Sequence, residues 1–308
     1  MNKDVQILQE MLACGKYNSS IMDEVLSHYQ DHPAIIPYKL PAGSKIIRSC
    51  LNSENQFHEI VSRLSYPPPQ YARTDRASLK GKPMFYGSIF TSACEKHVYP
   101  RIISALETTD ILRDFQRKGK VFTTQCLWLP RRDLHLFSFP FSRSYTKACD
   151  EVQQQWEVWK EHLSKGWPGV YCEFSEFIGD LIAQENHSCL YEITASAIQF
   201  ILNDSTAAPD LDGVIYPSVW GAGEGMNICL KTQIVDECVH FQKASVQCID
   251  KNVGESLMFP VAESYLLPDG TLKWIPTEEA LMILEREYGF ENLLRRGSII
   301  LEDLPKDK

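Results

Sequence analysis

Six residues in this chain have types and an order that suit work on a charged ligand. Arg48 sits inside Ser44-Lys45-Ile46-Ile47-Arg48-Ser49-Cys50, an apolar stretch with strand character. Arg76 closes Tyr71-Ala72-Arg73-Thr74-Asp75-Arg76, which follows the triple proline Pro67-Pro68-Pro69. Tyr86 ends the short run Pro83-Met84-Phe85-Tyr86, and Glu107 ends the helical-looking segment 100–107. Ser218 closes Asp212-Gly213-Val214-Ile215-Tyr216-Pro217-Ser218, and Asn227 stands just beyond the glycine-rich loop 221–225. An arginine fork holds phosphate oxygens in pairs. A carboxylate steadies positive charge that develops during a reaction and takes a hydrogen bond from a hydroxyl. A tyrosine offers a flat face with a polar tip.

Singly, each of these residues has a plainer reading. Arg48 suits a structural ion pair and Glu107 a charge on a helix surface. Tyr86 suits a strand core, and Ser218 after a proline suits a turn. Their joint order is what points to a site. Ser218 does not read as a nucleophile, because no Gly-x-Ser-x-Gly elbow surrounds it and no histidine is tied to it. The glycine loop 221–225 carries no phosphate-binding signature.

Regular elements must hold these groups in place. Apolar spacing predicts helices over 3–13 and 19–29, the second capped by Ser19-Ser20 and ended by Pro33 and Pro37. Strands are expected at 44–50, 121–129, 135–139, 211–220 and 226–230, with strand-like pieces over 235–249. Three helices are expected over 150–166, 173–183 and 191–202. A hairpin turns about Asp269-Gly270. A helix capped by Thr277 runs to Gly289, and the charged tail 303–308 frays.

The 308 residues are 44% hydrophobic and 23% charged, an ordinary globular balance that buries a sizeable core without staples. A net charge of −9 argues against a broad basic face for duplex nucleic acid, while leaving room for a local basic cleft. Among ten cysteines no two form Cys-x-x-Cys, and the pairs Cys94/His97 and Cys238/His240 stand isolated. No metal site and no prosthetic group are therefore expected. With no basic-then-apolar start and no membrane-length apolar run, the chain reads as cytoplasmic, with reduced thiols.

The ordered set Arg48, Arg76 before Gly81-Lys82-Pro83-Met84-Phe85-Tyr86, Glu107 in Ser104-Ala105-Leu106-Glu107, and Ser218 with Gly225-Met226-Asn227 resembles the RES-domain family. The resemblance covers roughly 44–232. It departs from the family at Asp75-Arg76-Ala77-Ser78, where a Gly-Arg-x-Asn pattern is usual. Glu95 competes with Glu107 at a shorter separation from Tyr86, and the helical context favours Glu107.

The resemblance implies an α+β fold with a mixed β core like that of ADP-ribosyltransferases, flanked by helices. It divides the chain into an N-terminal helical extension, 1–43, and a RES-like domain, 44–308. That domain carries a helical insertion at about 150–200 and a C-terminal strand and helix extension, all in one compact unit. It further implies an enzyme that consumes NAD as substrate, releasing nicotinamide by hydrolysis or phosphorolysis. Such proteins are often the toxin of a toxin–antitoxin pair, so an antitoxin is an expected partner. Transfer of ADP-ribose to a macromolecule, or nucleotide or partner binding without catalysis, are the alternatives. Within this scheme Arg48, Glu107 and Ser218 serve the reaction, and Arg76, Tyr86 and Asn227 bind the dinucleotide.

Overall fold

The computed structural model describes residues 2–278 apart from 53–56, 91–99, 142–149, 167, 185–187, 207, 209, 222, 224 and 253–254. The chain opens with two amphipathic helices, α1 (Lys3–Cys14) and α2 (Ser19–Ser27). Asn2 caps the first by accepting the Asp4 amide at 2.9 Å, and Gly15 ends it with a left-handed φ of 63°. Asn18, rather than the expected Ser19-Ser20, caps the second.

Among the described residues ten strands follow: β1 (Ile36–Leu40), β2 (Ile46–Leu51), β3 (Met84–Ile89), β4 (Gly119–Pro130) and β5 (Leu134–Ser138), then β6 (Gly213–Pro217), β7 (Met226–Lys231), β8 (Val239–Asn252), β9 (Glu255–Leu266) and β10 (Leu272–Pro276). They form one sheet in the order β1-β5-β6-β7-β3-β2-β4-β8-β9-β10. Every neighbouring pair is antiparallel except β5–β6. A parallel pair needs a long crossover. Here it is supplied by three helices, α5 (Asp150–Ser164), α6 (Gly169–Ile182) and α7 (Ser188–Asn203). Shorter connections carry α3 (Pro100–Thr108), α4 (Asp110–Arg113) and α8 (Thr232–Cys238). The fold is α+β with a mixed sheet at its core.

The two-residue period of strands sorts side chains into two cores. Met84 and Cys229 pack with the helices α1, α2, α6 and α7, through Leu8, Met22, Phe174, Ile178, Ile193 and Ile198. Phe85, Ile89, Met226, Ile228 and Leu230 enter the core on the opposite face. Gly179 lets α6 lie flush on the chain beyond β5, since a Cβ there would stand 1.9 Å from the Pro140 carbonyl oxygen.

Three elements differ from the sequence reading. Residues 36–40, placed in the helical extension, form the sheet's edge strand β1, whose position tolerates Pro37. Helix α6 starts four residues early, after Pro168. The start of the 235–249 stretch is the helix α8, which buries Ile234, Val235 and Cys238. The 277–289 helix and the 303–308 tail lie outside the described residues, apart from Thr277 and Glu278.

The sheet is irregular between β2 and β3. Their ladder consists of two pairs, Ile46↔Ile89 and Ile47↔Ser88. Beyond them the two strands part, although each keeps a full ladder on its other side.

Candidate functional site

A cleft of about 690 Å³ lies where β2 and β3 part, walled by Arg48 and Ser49 on one strand and Tyr86 and Gly87 on the other. Its size falls in the usual range for small-molecule sites. The parted ladder leaves the Tyr86 carbonyl without a strand partner, and Arg48 Nη1 donates to it at 2.8 Å. The Arg48 guanidinium lies 5.4 Å from the centre of the Phe85 ring. Its Nε is buried without a partner among the described residues.

Helix α3 crosses β2 and β3 and delivers Glu107 to the cleft. Two donors converge on one carboxylate oxygen. Ser218 Oγ donates to Oε1 at 2.6 Å and Asn227 Nδ2 donates to it at 3.0 Å. The directions are set further out. The Gly221 amide donates to Ser218 Oγ at 3.0 Å, so the serine proton is free for the carboxylate. Ser88 Oγ donates to Asn227 Oδ1 at 2.7 Å, which turns the amide nitrogen toward Glu107. Ser88 and Asn227 are direct partners across β3 and β7, so this bond follows from register. Oε2 takes no hydrogen bond among the described residues and remains for a ligand. Glu95 lies outside the described residues.

The turn behind Glu107 needs its glycines. A Cβ on Gly221 would stand 2.5 Å from Ile103 Cδ1, and one on Gly225 would stand 2.9 Å from Ile103 Cγ1. Gly225 also has a φ of 135°. Gly221 and Gly225 therefore press directly on the helix that carries Glu107.

Tyr86 serves the site differently from a bare stacking face. Its hydroxyl accepts the Ala77 amide at 3.0 Å and bonds Ser78 Oγ at 2.8 Å. Burial above all, with the nearby Asp75 carboxylate adding to it, pushes this phenol well above its ordinary range, so it stays protonated. The segment 75–78 is pinned from α7 as well, where Thr194 Oγ1 donates to the Arg76 carbonyl at 2.9 Å and Gln199 Nε2 donates to the Ala77 carbonyl at 2.9 Å. Ser78 is thus an integral fastening of this loop.

Two of the expected site residues already have their polar groups engaged within the protein. Arg76 is buried, and its guanidinium faces the end of α6, donating through Nη1 to the carbonyls of Ile182 and Gln184. A cation at a helix C-terminus satisfies carbonyls that have no intrahelical partner. Arg76 also lies over the Tyr191 and Tyr216 rings, 5.3 and 5.8 Å from their centres. It lines the cleft as a fixed charge whose fork is already engaged. Ser218 is fully buried behind Glu107 rather than on the cleft wall, with its hydroxyl committed on both sides. It positions the carboxylate.

The cleft also holds residues that sequence reasoning passed over. Arg113 stacks 4.7 Å from the centre of the Trp220 ring and pairs with Asp110. Tyr71, Arg73, Asp75, Tyr191, Glu192 and Tyr216 complete much of the lining. Arg73 belongs to the same 71–76 run as Arg76, but nothing local in the run tells which of the two keeps its side chain free. Among the described residues, four arginines against three carboxylates make the lining cationic within a chain of net charge −9. Conversely Asp212, which opens the 212–218 stretch, is no site residue. Its carboxylate is held by both Arg132 nitrogens at 2.7 Å and by the His135 amide at 2.8 Å.

Among the described residues no helix is long and apolar enough to cross a membrane. No protein-family model matches this chain, and a search of curated proteins finds no match either.

Proposed function

We propose that this cleft binds NAD and cleaves its nicotinamide–ribose bond. The observation that carries the reading is Glu107, a carboxylate with one oxygen fixed by Ser218 and Asn227 and the other unbonded among the described residues, inside a cationic cleft. The order of residues that resembles RES proteins is a second support.

The chemistry follows from the substrate's charge. The C1′–N1 bond breaks with both electrons going to the pyridinium nitrogen, which leaves as neutral nicotinamide. No strong general acid is needed. The ribosyl group becomes oxocarbenium-like, as in glycoside cleavage. Glu107 opposes that positive charge, and Oε2 accepts a hydrogen bond from a ribose hydroxyl. Two donors on Oε1 keep the carboxylate from rotating away, which is preorganisation of the electrostatic kind. Water or inorganic phosphate then bonds to C1′ and releases a proton to solvent. Arg48 and the other cleft arginines balance the charge of the diphosphate. A toxin role, with an antitoxin covering the cleft, belongs to the same proposal.

The test is direct. Purified protein is mixed with NAD, with and without phosphate, and nicotinamide is followed by chromatography. Release that falls by about 100-fold or more in Glu107→Gln is expected, the scale of losing one preorganised electrostatic group. Absence of release above the Glu107→Gln level in both buffers overturns the proposal. Label from NAD on macromolecules rather than in small products would redirect it to ADP-ribosyl transfer.

A further inference from the structure

Resting on that reading of the cleft, we infer that Arg73 and Tyr71 form the subsite for the nucleoside diphosphate half of the substrate. Arg73 takes the phosphates and Tyr71 stacks on the base, so the cleft selects dinucleotides over mononucleotides.

The cations of the cleft differ in what already holds them. Four arginines line it among the described residues. Arg48 donates to the Tyr86 carbonyl, Arg76 to two carbonyls at the end of α6, and Arg113 pairs with Asp110 against Trp220. Arg73 is exposed and has no partner among the described residues. An exposed guanidinium in a cleft keeps its whole fork for an incoming anion, and paired phosphates suit that fork.

The backbone around it is fixed although the side chains are free. Pro69–Tyr71 forms one 3₁₀ turn, in which the Tyr71 amide bonds the Pro68 carbonyl at 2.9 Å and the Ala72 amide bonds the Pro69 carbonyl at 3.1 Å. Ala72 is buried, and its carbonyl accepts the Gly81 amide at 3.2 Å. Residues on either side of a buried anchor turn outward together. Tyr71 is 66% exposed, unusual for so large a ring, and it lines the cleft beside Arg73. Bases stack on such rings without regard to sequence. A rigid loop loses little freedom on binding, so this wall is preorganised. Glu107 marks the ribosyl end of the cleft, which leaves the adenosine diphosphate end for this wall.

ADP serves as the probe, because its binding does not depend on turnover. Calorimetry on the intact chain should show ADP binding that weakens about 10-fold or more in Arg73→Ala and several-fold in Tyr71→Ala, the scale of a hydrogen bond to a charged group and of one stacked base. Kinetics should show the same residues in substrate choice. The ratio of kcat/KM for NAD to that for nicotinamide mononucleotide should fall about 10-fold in Arg73→Ala, again the scale of a hydrogen bond to a charged group. Equal ADP affinity in wild type and Arg73→Ala, or no ADP binding by wild type, overturns the inference. Nicotinamide release by wild type tests the Glu107 reading separately, so the two failures are distinguishable.

Discussion

Ser218 lies 2.6 Å from Glu107, donating its hydroxyl to the carboxylate while accepting the Gly221 amide at 3.0 Å. This one contact joins the turn after β6 to the end of α3, across 111 positions of sequence. It makes the serine a positioning residue for the carboxylate of the proposed site.

Ser218→Ala should therefore lower kcat for nicotinamide release by about 10-fold to 100-fold, since a hydrogen bond to a charged group is worth about 1.5–3 kcal/mol. KM should move less, because Ser218 is not on the cleft wall. The split between kcat and KM is the readout, because a purely structural loss lowers the folded fraction and leaves both constants unchanged per folded molecule. An unchanged kcat would mean that Asn227 suffices to hold the carboxylate.

Gly225→Ala should damage the same alignment from below. Its φ of 135° disfavours any side chain, and its new Cβ would meet Ile103 Cγ1 at 2.9 Å. The backbone strain costs about 1–3 kcal/mol, visible as a lower Tm. Displacement of α3 should reduce kcat by about 10-fold or more, because small misplacements of a reacting group are costly. Adding Ile103→Ala should recover part of the activity and none of the Tm, since it removes the Cγ1 that the new Cβ meets and leaves the φ. Equal recovery of both would assign the whole effect to packing.

The site was legible in residue types and hidden in residue commitments. Helical spacing announces α3 and so places Glu107 on an apolar helix, and period-two alternation places Tyr86 and Asn227 on strands. What Arg76 and Ser218 bond to depends on segments over 100 positions away, the end of α6 and the end of α3. No local pattern displays such partners. The parting of β2 from β3, which creates the cleft, is likewise a property of pairing and not of either strand. Helix α8 escaped because seven residues with Ile234-Val235 at their centre read as a strand when no longer period is available. Strand β1 escaped because Pro37 reads as a stop, whereas an edge strand accommodates it.

His58 supplies a pH dependence of stability. Burial first, and the Arg63 charge second, make it less basic than usual. Its folded pKa therefore lies below its unfolded value of about 6.5, and the folded state binds fewer protons. The stability it contributes is present above the unfolded value and is lost as pH falls through the lowered folded value. His240 is shifted the same way by burial and Arg131. The Tm should thus be lower at about pH 5.5 than at about pH 7.5, on either side of that unfolded value, and His58→Leu should narrow that gap. Thermal melts at the two pH values check this, and a gap as wide in the variant as in wild type would assign it to other groups.

Arg132 and Asp212 make a stability pair that activity should not feel. Asp212 is buried and accepts both Arg132 nitrogens at 2.7 Å, together with the His135 amide. The pair ties the loop after β4 to the start of β6, upstream of Ser218. Removing one partner of a buried pair costs about 3–5 kcal/mol. The Arg132 side chain is 45% exposed, so water replaces part of what is lost. A cost of about 1–3 kcal/mol is expected for Arg132→Ala, or a Tm lower by roughly 3–10 °C. Neither residue lines the cleft. Nicotinamide release per folded molecule, measured well below the new Tm, should stay within about twofold of wild type, as expected for a change outside the site. A large loss of kcat with an unchanged Tm would instead place the start of the 212–218 stretch in the chemistry.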